Sequence, residues 1–363
     1  MPYTVGKIAE SLGVTALGDA SLTVDGAAEP AEATEREIAL ALKPEYANDL
    51  PLGNARAAIL FEGADWKSMG LKAAIQVPRP RYAMVDLTKL MNPGQGWDVG
   101  IHPTAVVDDS AKLGEGVSVG PLSVICAGAD IGSGTVIGPQ SYIGWNSRIG
   151  INGFLREGTK IGPRVTIGDR FVSQPGAVIG GDGFSFVTEN ESSVERVQES
   201  LGDQGEHETQ QYFRIHSLGA VSIGDDVEIG TLAAVDRGTI RDTMIGDRTK
   251  IDNLVHIGHN CIIGNDCLIC GHTGFAGSAR IGNNVVLGGQ TGVNNNIIVG
   301  DNVIAGGGTK LLSNVPKGRV MLGYPAMKMD DYIEAYKGFR RLKRLFKDVA
   351  ELKRRIKSSD IAS

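Results

Sequence analysis

Three histidines, His256, His259 and His272, fall within seventeen residues whose only other charged member is Asp266. An imidazole titrates near neutral pH, so a histidine held outside the core is suited to take a proton from an attacking amine or hydroxyl. In the run IDNLVHIGHN, His256 and His259 fall at outward positions around the inward Ile257. They are either solvated surface histidines or a base with its neighbour. Asp252, on the preceding segment, could fix the tautomer of an imidazole as the carboxylate of a catalytic triad does. Gly277 follows His259 by eighteen residues and offers a backbone N–H with no side-chain cover. With Asp236 and Arg237 on a corner nearby, these residues form the minimum set for acyl transfer, a base and a donor for the thioester oxyanion.

Zinc is the rival reading of the same segment. Cys267-Leu-Ile-Cys270 has ligand-like spacing, and His256, His259 and Cys261 are close by. Phase argues against it: Cys261 and Cys267 take inward positions, as small apolar residues would, while the two histidines face out. No metal and no other cofactor is expected.

The element that must position these residues is a repeat. Stepping six residues at a time meets an aliphatic at Leu113, Val119, Ile125, Ile131, Ile137, Ile143, Ile149, Leu155, Ile161, Ile167 and Ile179, with Ser173 the one miss. A second run from Ile245 to Val299 holds the same beat, and Ile223 and Ile229 share the spacing. Sixteen residues separate Ile229 from Ile245, so about four are inserted near 236–242, a loop at one corner. Residues two before the aliphatics (Val117, Val221, Val227, Cys261, Cys267, Val285) are small and apolar, so each segment is a short strand with two inward side chains. Three segments make an 18-residue coil of triangular section, with glycine relieving the corners; glycine is 50 of 363 residues, about twice its usual share. The expected core of the fold is therefore a parallel β-helix, from about 107 to 305.

Residues 1–100 read as an α/β domain, with helices at 4–12 and 81–91 and strands at 57–61 and 73–77. The prism is expected over 101–325. It is interrupted at 187–214 by a stretch too charged to form a coil, read as an excursion. Residues 326–363 read as a basic amphipathic helix with an apolar stripe at Ile333, Phe339, Leu342, Phe346, Val349, Leu352 and Ile356. From Lys337 to Lys357 it carries ten Lys or Arg against Asp348 and Glu351. In a chain of net charge -6, that stripe suggests an acidic partner or a solvated face around an oligomer-forming seam. The overall charge argues against general nucleic-acid binding. No apolar run approaches a membrane span and the N-terminus lacks the build of a signal peptide, which reads as cytoplasmic.

The order of α/β domain, IHPTAVVDDSAKLGEGVSVG, GGDGFSF, VDRGTI, IDNLVHIGHN and GYPA resembles the UDP-3-O-(3-hydroxyacyl)glucosamine N-acyltransferase family of lipid A biosynthesis. The resemblance spans nearly the whole chain. It implies a left-handed β-helix, a homotrimer with active sites between subunits, a 3-hydroxyacyl acyl carrier protein as donor, and the 2-amino group of an O-acylated UDP-glucosamine as acceptor. By motif, His259 is the general base, Asp252 its orienter and the Gly277 amide the oxyanion donor. Substrate contacts are implied for Tyr46, Asp182, Phe184, Asp236, Asn253, His256 and Asn296, and carrier-protein contacts for Arg340, Arg341, Arg344 and Lys347. The chain departs from the family in three places. Leu40 and Lys43 replace a Phe and an Asn of the uracil-stacking pattern, of which Tyr46 remains; Asn296 stands for a second histidine; and Gly306, Gly307 and Gly308 replace bulky residues, implying a longer acyl tunnel. Two other readings stay open: a related hexapeptide acyltransferase acting on a different nucleotide-activated amino sugar, and a non-catalytic β-helix scaffold.

Overall fold

The computed structural model describes residues 2–200, 202, 209–323 and 326–360. Tyr324 and Pro325 of the GYPA motif lie outside the described residues, as do the expected boundary at 325, residues 201 and 203–208 of the excursion, and 361–363 at the end of the basic segment. The chain divides into two compact units, Met1–Gly96 and Trp97–Ser363.

In the first unit, α1 (Val5–Ser11) starts where the Thr4 hydroxyl accepts the Lys7 N–H. α2 (Pro44–Ala47) and α3 (Pro80–Met91) each open on a proline, whose missing N–H would have had no partner in the first turn anyway. A five-stranded sheet places Ala16–Gly18, Ala73–Val77, Ala57–Phe61, Glu37–Ala41 and Gly26–Ala28 side by side; only the first pair is antiparallel. The inner strands AAILF and AAIQV are nearly all apolar because both faces are covered. They coincide with the expected strands; the edge strands Ala16–Gly18 and Gly26–Ala28 escaped sequence reading because they are only three residues long, and Glu37–Ala41, of the same length as the inner two, was not read as a strand.

The second unit contains the prism. Among the described residues it has three parallel sheets. The first face carries ten strands from Val106–Val107 to Lys310–Leu311, the second nine from Lys112–Leu113 to Ile298–Val299, and the third ten from Ser118–Val119 to Val320–Met321. Ile125 pairs with Ile143 eighteen residues on, as the six-residue beat requires. The step widens to twenty-two between Ile223 and Ile245, where the 236–242 corner is inserted. The aliphatic column is buried throughout, and the prism runs on beyond 305 because the beat still holds at Leu311 and Val315 fills the core where it slips.

The corners need a residue in the left-handed backbone region, and Asn260 (φ 61°) and His272 (φ 59°) are two that supply it. On the corner between the second and third faces a ladder of side chains caps the exposed amides. Ile151, Asp169, Asp225, Asp247, Asn265 and Asn283 each donate their N–H to the Oδ1 of the equivalent residue one coil on, at 2.7–2.9 Å. Arg170 pairs with Asp226, and Arg248 with Asp266, through two hydrogen bonds each on the same corner.

The excursion has structure of its own. Phe186–Val187 and Phe213–Arg214 form an antiparallel hairpin, and the Arg214 guanidinium lies 4.6 Å from the centre of the Phe186 ring. α4 (Ser193–Ser200) begins with a capping box: Glu195 accepts from both the N–H and the hydroxyl of Ser192, and Ser192 Oγ accepts the Glu195 N–H. At the far end α5 (Met329–Asp360) presents its apolar stripe and its basic residues to solvent. Among the described residues no helix is long and apolar enough to cross a membrane.

Candidate active site

His259 sits on the corner between the first and second faces, and its imidazole lies between two glycines. A side chain at Gly277, one coil above, would meet ring atoms Cε1 and Nε2 at 2.6 and 2.7 Å. One at Gly183, the first turn of the excursion, would meet Cβ and Cδ2 at 2.8 and 3.1 Å. Only backbone therefore fits against either side of the ring. Gly183 carries no expected role from sequence; its signal was the third glycine of GGDGF, between the two residues singled out there.

The tautomer of His259 follows from its neighbour. Asn260 Nδ2 donates to the Arg241 carbonyl at 3.2 Å, which orients the amide and leaves Oδ1 to accept from Thr239 N–H (3.2 Å) and from His259 Nδ1 (2.9 Å). Nδ1 thus carries the proton and Nε2 holds the free lone pair of a base. Arg241 also donates to the Asn260 carbonyl at 2.8 Å, and Thr243 Oγ1 accepts the Asn260 N–H at 2.9 Å. The corner insertion that breaks the beat is the clamp that fixes the base. Among the described residues the Gly277 amide donates to no acceptor, in contrast to its equivalents on the capped corner.

The orienter expected from sequence was Asp252, which does not reach His259 within one chain. Asp252 occupies the previous corner, between the third and first faces, where its carboxylate accepts the N–H groups of Gly271 (2.9 Å) and Asn253 (2.7 Å). One strand of the first face separates it from His259. Asn253 is on that corner too, its Oδ1 accepting the Thr231 N–H at 2.7 Å. Phase alone put both segments outside the core but did not say which corner each faced.

His256 lies mid-strand on the first face and pairs with Asp236 of the coil below, Nε2 to Oδ2 at 3.1 Å. Hydrogen bonding to Asp236, which is only 14% exposed, raises the His256 pKa above its ordinary value, against a smaller opposing effect of burial. Arg237 does not join them. Its guanidinium turns inward, donating to the carbonyls of Gly219 and Pro163, and burial lowers its pKa. Asp182 and Phe184 stand exposed on either side of Gly183, and Asn296 is exposed one coil above Gly277, donating its N–H to the Gly277 carbonyl.

Cys261 and Cys267 are buried in the prism, donating to the carbonyls of Ala276 and Gly282, and burial pushes the Cys261 thiol up to about 11. The residues of the zinc reading are therefore split across the wall. His272 is accounted for as a corner residue.

Above His256 the first face is bare: Gly274 and Gly292 floor a groove of about 380 Å³ that ends at Lys310, whose ammonium donates to the Gln290 carbonyl. Gly306 to Gly308, the expected tunnel residues, lie instead around the corner that follows the third face. In the first unit Tyr46 is 48% exposed on α2, with the Lys43 ammonium 6.0 Å from its ring centre. Arg340, Arg341, Arg344 and Lys347 are exposed along α5.

The bacterial transferase hexapeptide family (six repeats) matches residues 110–144 and 242–277. A protein of Ruegeria pomeroyi named UDP-3-O-acylglucosamine N-acyltransferase is 60% identical over 356 residues, 98% of each chain. One of the same name from Paracoccus denitrificans is 54% identical over 357 residues, again 98% of each. The solved structure of Arabidopsis UDP-N-acetylglucosamine acyltransferase aligns with a TM-score of 0.52 at 25% identity, covering 61% of this chain and 71% of that one.

Proposed function

The chain belongs to the UDP-3-O-acylglucosamine N-acyltransferase family, and from that premise we propose how its corner performs the transfer. It is an acyltransferase of lipid A biosynthesis that moves a 3-hydroxyacyl group to the 2-amino group of a UDP-3-O-acyl-glucosamine, with acyl carrier protein as donor. The observation that carries the mechanism is the His259 imidazole, bonded at Nδ1 to Asn260 Oδ1 and open at Nε2, beside a Gly277 amide that meets no acceptor among the described residues.

The thioester carbonyl oxygen sits at the Gly277 N–H. The acceptor amine attacks the carbonyl carbon while His259 Nε2 takes an amine proton, and the oxyanion is held by the amide. Collapse breaks the C–S bond, and the thiolate leaves with the proton returned from the imidazolium. The groove over Gly274 and Gly292 opens on the Gly277 side of His259 and is suited to the donor's acyl chain. His256, paired with Asp236, borders the groove and supplies a polar contact at its lower end.

Three finer features belong to the same reading. The chain works as a homotrimer, in which Asp252 and Asn253 of one subunit are free to serve a neighbour's site. Tyr46 offers a half-exposed ring for the uracil, with Lys43 beside it in place of a second aromatic wall. The exposed Arg340, Arg341, Arg344 and Lys347 suit an acidic carrier protein. Incubation with UDP-3-O-(3-hydroxyacyl)glucosamine and 3-hydroxyacyl carrier protein should yield the N-acylated sugar nucleotide by mass. No product there, with turnover of another UDP amino sugar, would move the assignment to the related acyltransferase.

A further inference from the structure

Arg237 carries a guanidinium yet is only 8% exposed, and it has no part in the transfer as described. Its backbone N–H donates to the Gly181 carbonyl at 2.8 Å, where the excursion leaves the prism. Its Nε donates to the Gly219 carbonyl at 2.8 Å, where the excursion returns, and Nη2 to the Pro163 carbonyl at 3.3 Å, one coil below Gly181 on the same corner. Burying a guanidinium is costly unless its donors are matched, and here the fork meets main-chain oxygens. The reason lies in the ladder. One coil lower, the Trp145 carbonyl accepts the Arg164 N–H eighteen plus one residues on. The excursion carries the chain away before it can serve Pro163 in the same manner, and the Arg237 side chain replaces the missing donor.

The same root carries Gly183, whose N–H donates to Ser217 Oγ at 3.3 Å. The returning arm is paired to the corner insertion, Leu218 N–H to the Thr239 carbonyl at 2.8 Å and Gly219 N–H to the Gly238 carbonyl at 3.0 Å. A side chain at Gly219 would stand 2.6 Å from the Arg241 carbonyl oxygen, so this arm passes as bare main chain. The insertion therefore reaches the imidazole twice. Through Asn260 it meets Nδ1, and through Arg237 and the excursion root it reaches Gly183, whose main chain lies against the Cβ and Cδ2 side of the ring. We propose that Arg237 is a positioning residue for the transfer: by pinning both arms of the excursion to the corner it keeps Gly183 against the His259 ring and so aims Nε2. This rests on the acyl-transfer reading of the His259 corner.

In Arg237→Ala of the full-length protein the two arms lose their shared donor. A displacement of about 1 Å can cost about 10²-fold, so kcat per folded molecule should fall by about that much, with KM for acceptor and carrier donor unchanged. Millimolar guanidinium should restore part of the lost kcat, and Arg237→Lys, which keeps the charge but not the fork, should fall in between. Ser217→Ala frees only the Gly183 N–H, so it tests the seat even where Arg237→Ala fails to fold; kcat should drop by up to about five-fold, the worth of one hydrogen bond. A purely structural role predicts fewer folded molecules, each with normal kcat, and that result would overturn the proposal. So would wild-type kcat in both Arg237→Lys and Ser217→Ala, or a change confined to KM. A second arm needs no turnover. Hydrogen exchange read by mass spectrometry should quicken at 181–186 and 215–221 in Arg237→Lys, and diethyl pyrocarbonate should modify His259 faster relative to His272 than in wild type. Wild-type rates in both measurements refute the pinning. They judge it even if no UDP-3-O-acyl-glucosamine is N-acylated, the result that would sink the acyl-transfer reading itself.

Discussion

Two corners of one prism are built from the same turn and end in different chemistry. Between the second and third faces, six successive amides are taken by Asp or Asn side chains of the next coil, and Arg170 and Arg248 tie neighbouring coils with two hydrogen bonds each. Between the first and second faces the equivalent amide, that of Gly277, meets no acceptor among the described residues and an imidazole lies against it. A solenoid repeats its backbone, so function is written by withholding a cap as much as by adding a residue. The price of the open corner is a backbone donor left to water until substrate arrives.

The sharpest break of this comparison is His259→Ala. It should lower turnover about 10³-fold, the scale of a lost general base, with the oligomer and melting curve unchanged. Near-wild-type turnover would show that the corner's chemistry lies elsewhere.

Next comes Gly277→Ala. Its new methyl would stand 2.6 Å from His259 Cε1, forcing the ring or the coil to move. Because displacing a catalytic group by about 1 Å can cost about 10²-fold, kcat should fall by about that much in steady-state assays. A KM effect alone would mean that the ring shifts without consequence.

On the capped corner the expectation reverses. Asp247→Ala removes the acceptor of the Asp225 N–H and should lower stability by about 1 kcal/mol in urea titration, leaving kcat as it is. A fall in kcat would erase the distinction between the corners.

The smallest effect concerns His256. Its pKa is raised in the folded chain by Asp236 above the unfolded value of about 6.5. The resulting stability is present in full below about 6.5 and is lost as pH rises through the folded pKa. The pair is more than half exposed on the histidine side, so solvent screening keeps it to about 0.5 kcal/mol. Melting temperatures of wild type and Asp236→Asn should accordingly differ more at pH 5.5 than at pH 8.5; a gap independent of pH would mean that His256 stays neutral.

The prism was legible because one physical demand, an aliphatic inward every six residues, is repeated without much noise from Leu113 to Val299. The same phase sorted Cys261 and Cys267 inward and His256 and His259 outward, and stacked Gly277 on His259. It did not say that Asp252 and His259 of one chain face different corners, since a period of six returns to every corner alike. Asn260 was hidden because its role depends on Thr239 and Arg241, residues of an irregular insertion whose path no periodicity describes. The excursion was read by its charge, which concealed that its few apolar residues converge on one pocket. In the first unit, the strands at 57–61 and 73–77 were visible as apolar runs and the three-residue edge strands Ala16–Gly18 and Gly26–Ala28 were not.

The glycine seat of His259 has a consequence for how this site can drift. An imidazole packed among side chains inherits every substitution made to its neighbours. This one rests on main chain from Gly183 below and Gly277 above and is held by the Asn260 side chain, so point changes elsewhere around it leave the seat where it is. What would move it is a change of length, a residue gained or lost between coils, which would bring a different stretch of backbone over the ring. Among descendants of this chain the base should stay fixed while the loops around it lengthen and shorten.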